Sequence, residues 1–497
     1  MGSYLRKAIS GLSYVFIFTF LAMISGYVFR LVLARNLTTE QYGLFYAVLS
    51  AVIFFYVLND LGLKPAIIKF IPEFLVRKEY DKINISIIQT TLIWIANSTI
   101  ILIISILLSN YLAVNYFRNS DANLLLIIIS ASFLLFSIDS ILSYVFQGFQ
   151  RMGIFSSVDF TRSTSYLIIT ALGFILFPGS IFVPAWAYFI TPFILVLIYF
   201  PILKIKVFPK LKIVKFFDIP LLKKMVYFGV PVTVISFSSL FFQQSSILLL
   251  TYFGTLKDVA LLNVALPTSS LAVAFSSAIA HVIFPLSSEL WTRNYKDKLR
   301  EGTMLLYKYS FIIIIPVCLV LFSFPRLIVD LLFGSKYLDA ASSLMVLAIG
   351  AIFLNIANIN FNILAGIGRT KEPLKITIIM VVVSVILNIL LIPIFGVLGS
   401  ALAISISYFL AMILSLFFIR SIIEIRVPFI FWIKNLITGL IFLGVVFLLT
   451  KLLDINPYLK AIIISIIAGI IYLISVFLLK MTSINELKNY FQRAIKK

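Results

Sequence analysis

Cysteine and histidine are almost missing from this chain of 497 residues, which has one of each, Cys318 and His281. A lone cysteine cannot close an internal disulfide, and one histidine leaves no material for a Cys/His metal cluster. No metal and no cofactor is therefore expected. Charge is scarce too, at 12% of residues, where ordinary globular chains carry about a quarter. Acidic residues are the scarcer sign, 19 Asp and Glu against 40 Lys and Arg, for a net charge of +21. No G-x-x-x-x-G-K-[ST] phosphate loop occurs, which excludes hydrolysis of ATP by the chain itself.

Apolar residues fill the space that charge leaves, at 62% of the chain and a mean hydropathy of +1.13. No charged residue falls between Lys82 and Arg118, Arg162 and Lys204, Asp339 and Arg369, or Lys375 and Arg420. A spanning helix needs about 20 apolar residues, because hydrocarbon is about 30 Å thick and each residue rises about 1.5 Å. The second and fourth runs are too long for one span, and each is broken near its middle. Phe177-Pro178-Gly179 breaks one and Pro393 to Gly396 the other, so both predict helical hairpins with tight turns. Alternating β-barrel patterning is absent. The reading is an all-α integral membrane protein of about fourteen transmembrane helices, with an uncleaved first span preceded by Arg6 and Lys7.

The basic excess could suggest nucleic acid, but its distribution does not. With both termini cytoplasmic, about 32 of the 40 Lys and Arg fall on the inner side, as positive-inside topology requires. The excess is thus a topology signal plus attraction to anionic headgroups.

The chain also resembles itself at a spacing near 217 residues. Gly148-Phe149-Gln150-Arg151 corresponds to Gly366-Ile367-Gly368-Arg369, Thr38 to Phe45 corresponds to Thr255 to Leu262, and Pro178 corresponds to Pro393. Six spans separate the copies, so orientation is preserved and the halves are parallel repeats. This predicts an N-lobe over 1–203 and a basic cytoplasmic linker over 204–225, with Lys204, Lys206, Lys210, Lys212, Lys215, Lys223 and Lys224. A C-lobe over 226–420, two further spans over 421–480 and a cytoplasmic amphipathic tail over 481–497 complete the division.

Several segments then carry a family resemblance: Arg30 to Leu37 with Tyr42-Gly43-Leu44-Phe45, Asp60 to Glu73, and Gln147 to Met152. Gly366 to Pro373, and Leu387-Asn388 to Pro393 followed by Gly396 to Ala403, complete the set. In order and spacing the chain resembles the polysaccharide-exporter branch of the multidrug/oligosaccharidyl-lipid/polysaccharide (MOP) exporter superfamily, relatives of O-antigen flippases. The resemblance implies a MATE-like pair of six-helix lobes. It implies translocation of polyprenyl-pyrophosphate oligosaccharides across a prokaryotic cell membrane by ion-coupled alternating access. The partners implied are the lipid-linked oligosaccharide, membrane lipids and a coupling ion, H+ or Na+, with the chain acting as a monomer. A cation-coupled multidrug antiporter is the alternative within transporters. A membrane-embedded glycan polymerase or glycosyltransferase is the alternative enzyme, disfavoured because the outer loops are short and hold no carboxylate cluster.

Polar residues within spans are the candidate site, since a charge at the bilayer centre costs about 2.5–3.5 kcal/mol and needs a cavity or a partner. Arg30 and Arg35 end the first span, and either snorkelling or a cavity position accounts for them. A guanidinium can bond two phosphate oxygens and stays charged when desolvated, which suits Arg30, and secondarily Arg35 and Lys64, to a lipid pyrophosphate. The resemblance adds that first-helix arginines are expected to face the cavity. Asp60, Lys64 and Lys69 follow the second span. Asp139, deep in the fourth, is the main ion-coupling candidate, with Asp60 the second. Asp159 and Arg162 are spaced for an i,i+3 ion pair at a helix end. Asn355, Asn358 and Asn362 share one helical face and suit sugar hydroxyls or interhelical bonding.

Overall fold

A computed structural model describes residues 2–213, 215–273, 283–284, 286–425 and 428–482. Among these residues there are helices and connecting turns but no strands. Contacts divide the chain into two units, residues 1–260 and 261–497.

The first unit holds α1 (Gly2–Asn36), α2 (Thr39–Tyr56), α3 (Leu63–Val76), α4 (Tyr80–Asn115), α5 (Asp121–Gly148), α6 (Met152–Leu176), α7 (Phe182–Ile202) and α8 (Ile219–Phe253). α5 is its centre, packed on α2, α3, α4 and α7, while α1 lies along α6. α3 has no counterpart among the expected spans. Leu63, Ala66, Ile67, Phe70, Ile71 and Phe74 are buried on it, a helical stripe set against α5 and α8. The basic linker is tied down at two points. Asn84 on α4 donates to Lys210 O at 3.2 Å and accepts from Lys212 N at 3.1 Å, and Gln89 accepts from Asp218 N at 3.3 Å.

α9 (Leu256–Ser270) leads into the second unit, which holds α10 (Lys296–Ser323), α11 (Pro325–Phe333), α12 (Ala340–Gly366), α13 (Lys371–Phe395), α14 (Val397–Ile423), α15 (Phe429–Leu452) and α16 (Pro457–Leu478). α12 packs on α10 and α14, and α13 on α14. α15 and α16 pair with each other beside α10, joined by Tyr472 Oη donating to Asn435 Oδ1 at 3.2 Å.

The internal repeat is visible in the packing of each unit. Helices starting at Tyr80, Asp121, Met152 and Phe182 answer to helices starting at Lys296, Ala340, Lys371 and Val397, each 215 to 219 residues later. Within its own unit each set pairs in the same way: first with second, second with fourth, third with fourth. The matching motifs are helix ends. Thr38 and Gln41 form a capping box on α2, and Thr255 and Asp258 form the equivalent one on α9, with bonds of 3.0 and 3.1 Å. Arg151 N bonds to Phe146 O at 2.9 Å and Arg369 N to Leu364 O at 2.8 Å, the same six-residue C-cap.

Eleven helices among the described residues are long and apolar enough to cross a membrane. Of the fourteen expected spans, α2, α6 and α8 are not in that set.

Candidate functional site

The first unit contains a break in a helix, and the site is built around it. After α2, residues Val57–Asn59 make one 3-10 turn, and Leu61 and Gly62 then take positive φ of 45° and 83°. Such a break frees backbone groups that hydrocarbon cannot satisfy, so it persists only where side chains or a cavity take them up. α4 supplies the partners: Asn97 Nδ2 donates to Asn59 O at 3.3 Å and Trp94 Nε1 to Asp60 O at 3.4 Å. Asp60 opens α3, its Oδ1 accepting from Lys64 N at 2.7 Å. Gly62 meets α8 backbone to backbone, since a Cβ on it would lie 2.3 Å from Gly229 C. The left-handed φ and this close approach both require glycine.

The break opens a cavity of about 490 Å³ within the unit. The α2–α3 junction, α5, α6, α7 and α8 form its wall. Lys64 enters it with Nζ 4.6 Å from the centre of the Tyr144 ring. Tyr56, Asn59, Ser140, Tyr166 and Tyr188 offer hydroxyl and amide groups, and Phe133 and Phe136 offer ring faces. Ser137 pins the wall from behind. Its buried Oγ lies 2.8 Å from Tyr56 Oη and 2.6 Å from Ser98 Oγ, and it accepts from Asn59 Nδ2 at 3.2 Å.

Arg162 on α6 is the second cation of the lining. It was expected to pair with Asp159 alone, at a helix end. The structure corrects that reading: Nη1 bonds to Asp159 at 2.5 Å, while Nη2 and Nε reach Asp139 on α5 at 3.1 and 3.3 Å. Its guanidinium also lies 4.8 Å over the Phe136 ring. Asp139 is wholly buried, and its second oxygen, Oδ1, has no hydrogen-bond partner. A buried carboxylate with one oxygen paired and one bare can accept a proton or a small cation without first breaking a bond.

Arg30 takes a position that neither reading of the sequence describes. Its guanidinium lies 4.6 Å over the Tyr46 ring, with Tyr42 and Tyr188 beside it. Nη1 is buried without a hydrogen-bond partner, which rules out snorkelling for that group. Nor is Arg30 part of the cavity lining. Tyr188 stands between: it is next to Arg30, lines the cavity, and stacks on Tyr166 at 4.1 Å and 9°. Arg30 and Arg162 thus each lie near one member of a stacked tyrosine pair, Arg30 near Tyr188 and Arg162 near Tyr166.

A family model described as "Polysaccharide biosynthesis protein" matches residues 8–291, more than half of the chain, and the MatE model matches residues 231–390. The chain belongs to the polysaccharide biosynthesis protein family. A membrane protein of Methanocaldococcus jannaschii is 32% identical over the full length of both chains. The probable low-salt glycan biosynthesis flippase Agl15 of Haloferax volcanii is 25% identical over 227 residues, 45% of this chain and 48% of that one. Among solved structures, the lipid II flippase MurJ in an inward closed conformation matches with a TM-score of 0.74 and 19% identity, covering 93% of this chain and 98% of that one. At that identity the match speaks to the fold, and it is the fold expected from the sequence.

The other candidates in this family member fall in several places. Arg35 is exposed at the end of α1, and Lys69 lies on α3 with Nζ 3.8 Å from the Phe228 ring centre. Asp60 joins the cavity, with Thr233 Oγ1 donating to its Oδ2 at 3.4 Å. The three asparagines belong to the second unit: Asn355 is buried, while Asn358 and Asn362 are half-buried. Asn362 Nδ2 turns back to Asn358 O at 2.8 Å, within its own helix. Asn360, which sequence reasoning passed over, is buried and bonds to Tyr307 and to Ser415 Oγ, the latter at 2.9 Å. His281 and the tail from residue 483 lie outside the described residues. Arg162 is the main residue undervalued from sequence. The available signal was that it begins the charge-free run that ends at Lys204, within a serine- and threonine-rich helix.

Proposed function

We propose that this chain is a flippase for lipid-linked oligosaccharides, carrying polyprenyl-pyrophosphate glycans across a prokaryotic cell membrane by ion-coupled alternating access. The observation that carries the reading is Arg162, a guanidinium held on a cavity wall by a buried carboxylate. A pyrophosphate needs cations in a space closed to hydrocarbon, and Arg162 with Lys64 supplies two of them. Sugar hydroxyls need donors and acceptors, which Tyr56, Asn59, Ser140 and Tyr188 supply. Coupling follows from competition for Arg162. While Asp139 is ionised it holds the guanidinium. A proton taken onto Asp139 loosens that hold, and the substrate's phosphate oxygens take the freed N–H groups. Release of the proton restores the pair and expels the anion.

The chain acts as a transporter in this reading, not as an enzyme, with both termini on the cytoplasmic side. Flipping of a fluorescent pyrophosphate-linked oligosaccharide in proteoliposomes, scored with an impermeant quencher, tests it. Wild type should flip under a proton gradient, and Arg162→Ala should lose about tenfold or more per folded molecule. An unchanged rate in Arg162→Ala removes this site from the mechanism. The MatE match over residues 231–390 supports a second reading, export of organic cations. Transport of a cationic dye with no glycolipid flipping would establish it. Orientation is tested by single cysteines in a Cys318→Ala background: Ser180→Cys and Asn456→Cys should label from outside intact cells, and Lys212→Cys should not.

A further inference from the structure

A smaller chamber of about 300 Å³ adjoins the cavity of the first unit. The two share Lys64, Ser140, Tyr144 and Arg162 among their lining residues. Ser143, Gln147, Phe155 and Asp159 line the chamber but not the cavity, and they lie toward the turn that joins α5 to α6. On α5 the polar residues Ser140, Ser143 and Gln147 recur at i, i+3 and i+7, which places them on one helical face. At about 1.5 Å per residue, that stripe runs about 12 Å inward from the end of the helix. Asp139 is the next residue inward. On α6, Asp159 and Arg162 are three residues apart. The two carboxylates share Arg162 but differ in access, since the Asp159 side chain is 53% exposed and that of Asp139 is 0% exposed.

A buried carboxylate can exchange a proton only if polar groups or water connect it to the outside. Water enters a space that is roomy and offers each molecule two to four polar partners, and the chamber meets both conditions. At its inner end Ser140 Oγ is buried without a hydrogen-bond partner, as is Asp139 Oδ1. The Ser140 hydroxyl is near Asp139, and a hydroxyl can both accept and donate a proton. Among the described residues, the other charged and titratable groups around the two carboxylates are Arg162 and Tyr166 on α6, Lys64 on α3, Tyr144 on α5 and Tyr56 on α2. Of all these side chains, carboxylates are the ordinary proton acceptors in water near neutrality. We propose that the chamber is the proton-access path to Asp139, and that Asp159 is the carboxylate that takes up the proton at its mouth. A proton from outside adds to Asp159, passes through the chamber and across the Ser140 hydroxyl, and ends on Asp139 Oδ1. Asp159 is then ionised again, Arg162 has kept all its protons, and one proton has moved from water to Asp139. The hold on Arg162 shifts in the same step from Asp139 to Asp159. This inference rests on the ion-coupled flippase reading and names its ion as the proton.

The test uses the full-length protein in proteoliposomes and a fluorescent pyrophosphate-linked oligosaccharide. The readout is the ratio of flipping under a proton gradient to flipping without one, per folded molecule. Asp159→Asn should lower that ratio by about tenfold or more, and Asp159→Glu should keep most of it. Slow proton entry is first order in proton concentration. Lowering the pH on both sides by about one unit, with the gradient held, should therefore recover up to about tenfold in Asp159→Asn and change wild type little. A ratio equal to wild type in Asp159→Asn overturns the path and leaves proton coupling standing. A loss in Asp159→Asn that does not respond to pH also overturns it, because a purely structural role for Asp159 predicts that result. Wild type that responds to a sodium gradient but not to a proton gradient overturns the path while keeping ion coupling. Wild type that responds to neither gradient overturns the coupled reading and the path together.

Discussion

Arg162 reaches from α6 to Asp139 on α5 at 3.1 Å, and the two are among the most deeply placed charges of the first unit, with side-chain exposures of 14% and 0%. Breaking a buried pair from one side leaves an uncompensated charge and costs about 3–5 kcal/mol, whereas removing both partners costs much less. Arg162→Met should therefore lower the stability of the detergent-solubilised protein more than Asp139→Asn combined with Arg162→Met. The second Asp159 contact, also lost, is half-exposed and contributes little. A coupling energy near zero in this double-mutant cycle would mean that the pair is not formed in the folded protein.

Asp139→Asn keeps the shape of the side chain and removes its charge. Arg162 remains held by Asp159, so the variant is expected to fold. In proteoliposomes its flipping should no longer respond to an imposed proton or sodium gradient, while exchange without a gradient continues. Gradient-stimulated flipping equal to wild type would take Asp139 out of the coupling step.

Arg30 and Arg35 are five residues apart on one helix but in different surroundings, and their variants should differ accordingly. Arg30 stacks on Tyr46 with a buried, unpartnered Nη1, whereas Arg35 is exposed. A desolvated cation on an aromatic face contributes about 2 kcal/mol or more, an exposed one about 0.5–1 kcal/mol. Flipping per folded molecule should fall by about tenfold or more in Arg30→Ala, partly recover in Arg30→Lys, and change little in Arg35→Ala. Equal loss at both positions would indicate that the tyrosine cluster has no special role.

The architecture could be read from the chain because membrane spans are set by length and apolarity alone, and both are local properties. The runs between Lys82 and Arg118 and between Asp339 and Arg369 become α4 and α12 with only their ends adjusted. The repeat was legible for a similar reason. Its matching residues, Thr38 and Thr255 or Gln150 and Gly368, sit at helix caps, where backbone geometry restricts residue choice. The site was harder to read. Asp139 and Arg162 are 23 residues apart, and nothing in their spacing says that α5 and α6 bring them together. The i,i+3 neighbour Asp159 offered a simpler partner. α3 was missed because its 14 residues are too short and too charged to register as a span.

Gly62 and Gly229 should be intolerant of any side chain. A Cβ on Gly229 would sit 1.7 Å from Gly62 O, and Gly62 also has a φ of +83°, which costs an alanine about 1–2 kcal/mol before any clash. Gly62→Ala and Gly229→Ala should each sharply reduce the folded yield. Gly444→Ala, which meets nothing within 4 Å, serves as the tolerated control. Wild-type thermal stability in Gly229→Ala would show that α3 and α8 do not approach this closely.

The two copies of the repeat solve one cap with different residues, and exchanging them should move stability in opposite directions. Gln150 and Gly368 both occupy the left-handed position after a helix, at φ of 58° and 83°. A non-glycine residue there is strained by about 1–2 kcal/mol. Glycine avoids the strain but has more unfolded-state freedom to lose, worth about 0.5–1 kcal/mol. The balance favours glycine slightly. Gln150→Gly should therefore stabilise the protein by up to about 1 kcal/mol, and Gly368→Gln should destabilise it by a similar amount. Sterics do not complicate the second change, because a Cβ on Gly368 meets no atom within 4 Å. Gly368→Asn should fall between, since asparagine tolerates the left-handed region better than glutamine. Thermal unfolding of the four proteins in one detergent gives the comparison directly. Loss of stability in Gln150→Gly would mean that the Gln150 side chain makes a contribution at this turn larger than its backbone strain, and that the two caps are not equivalent.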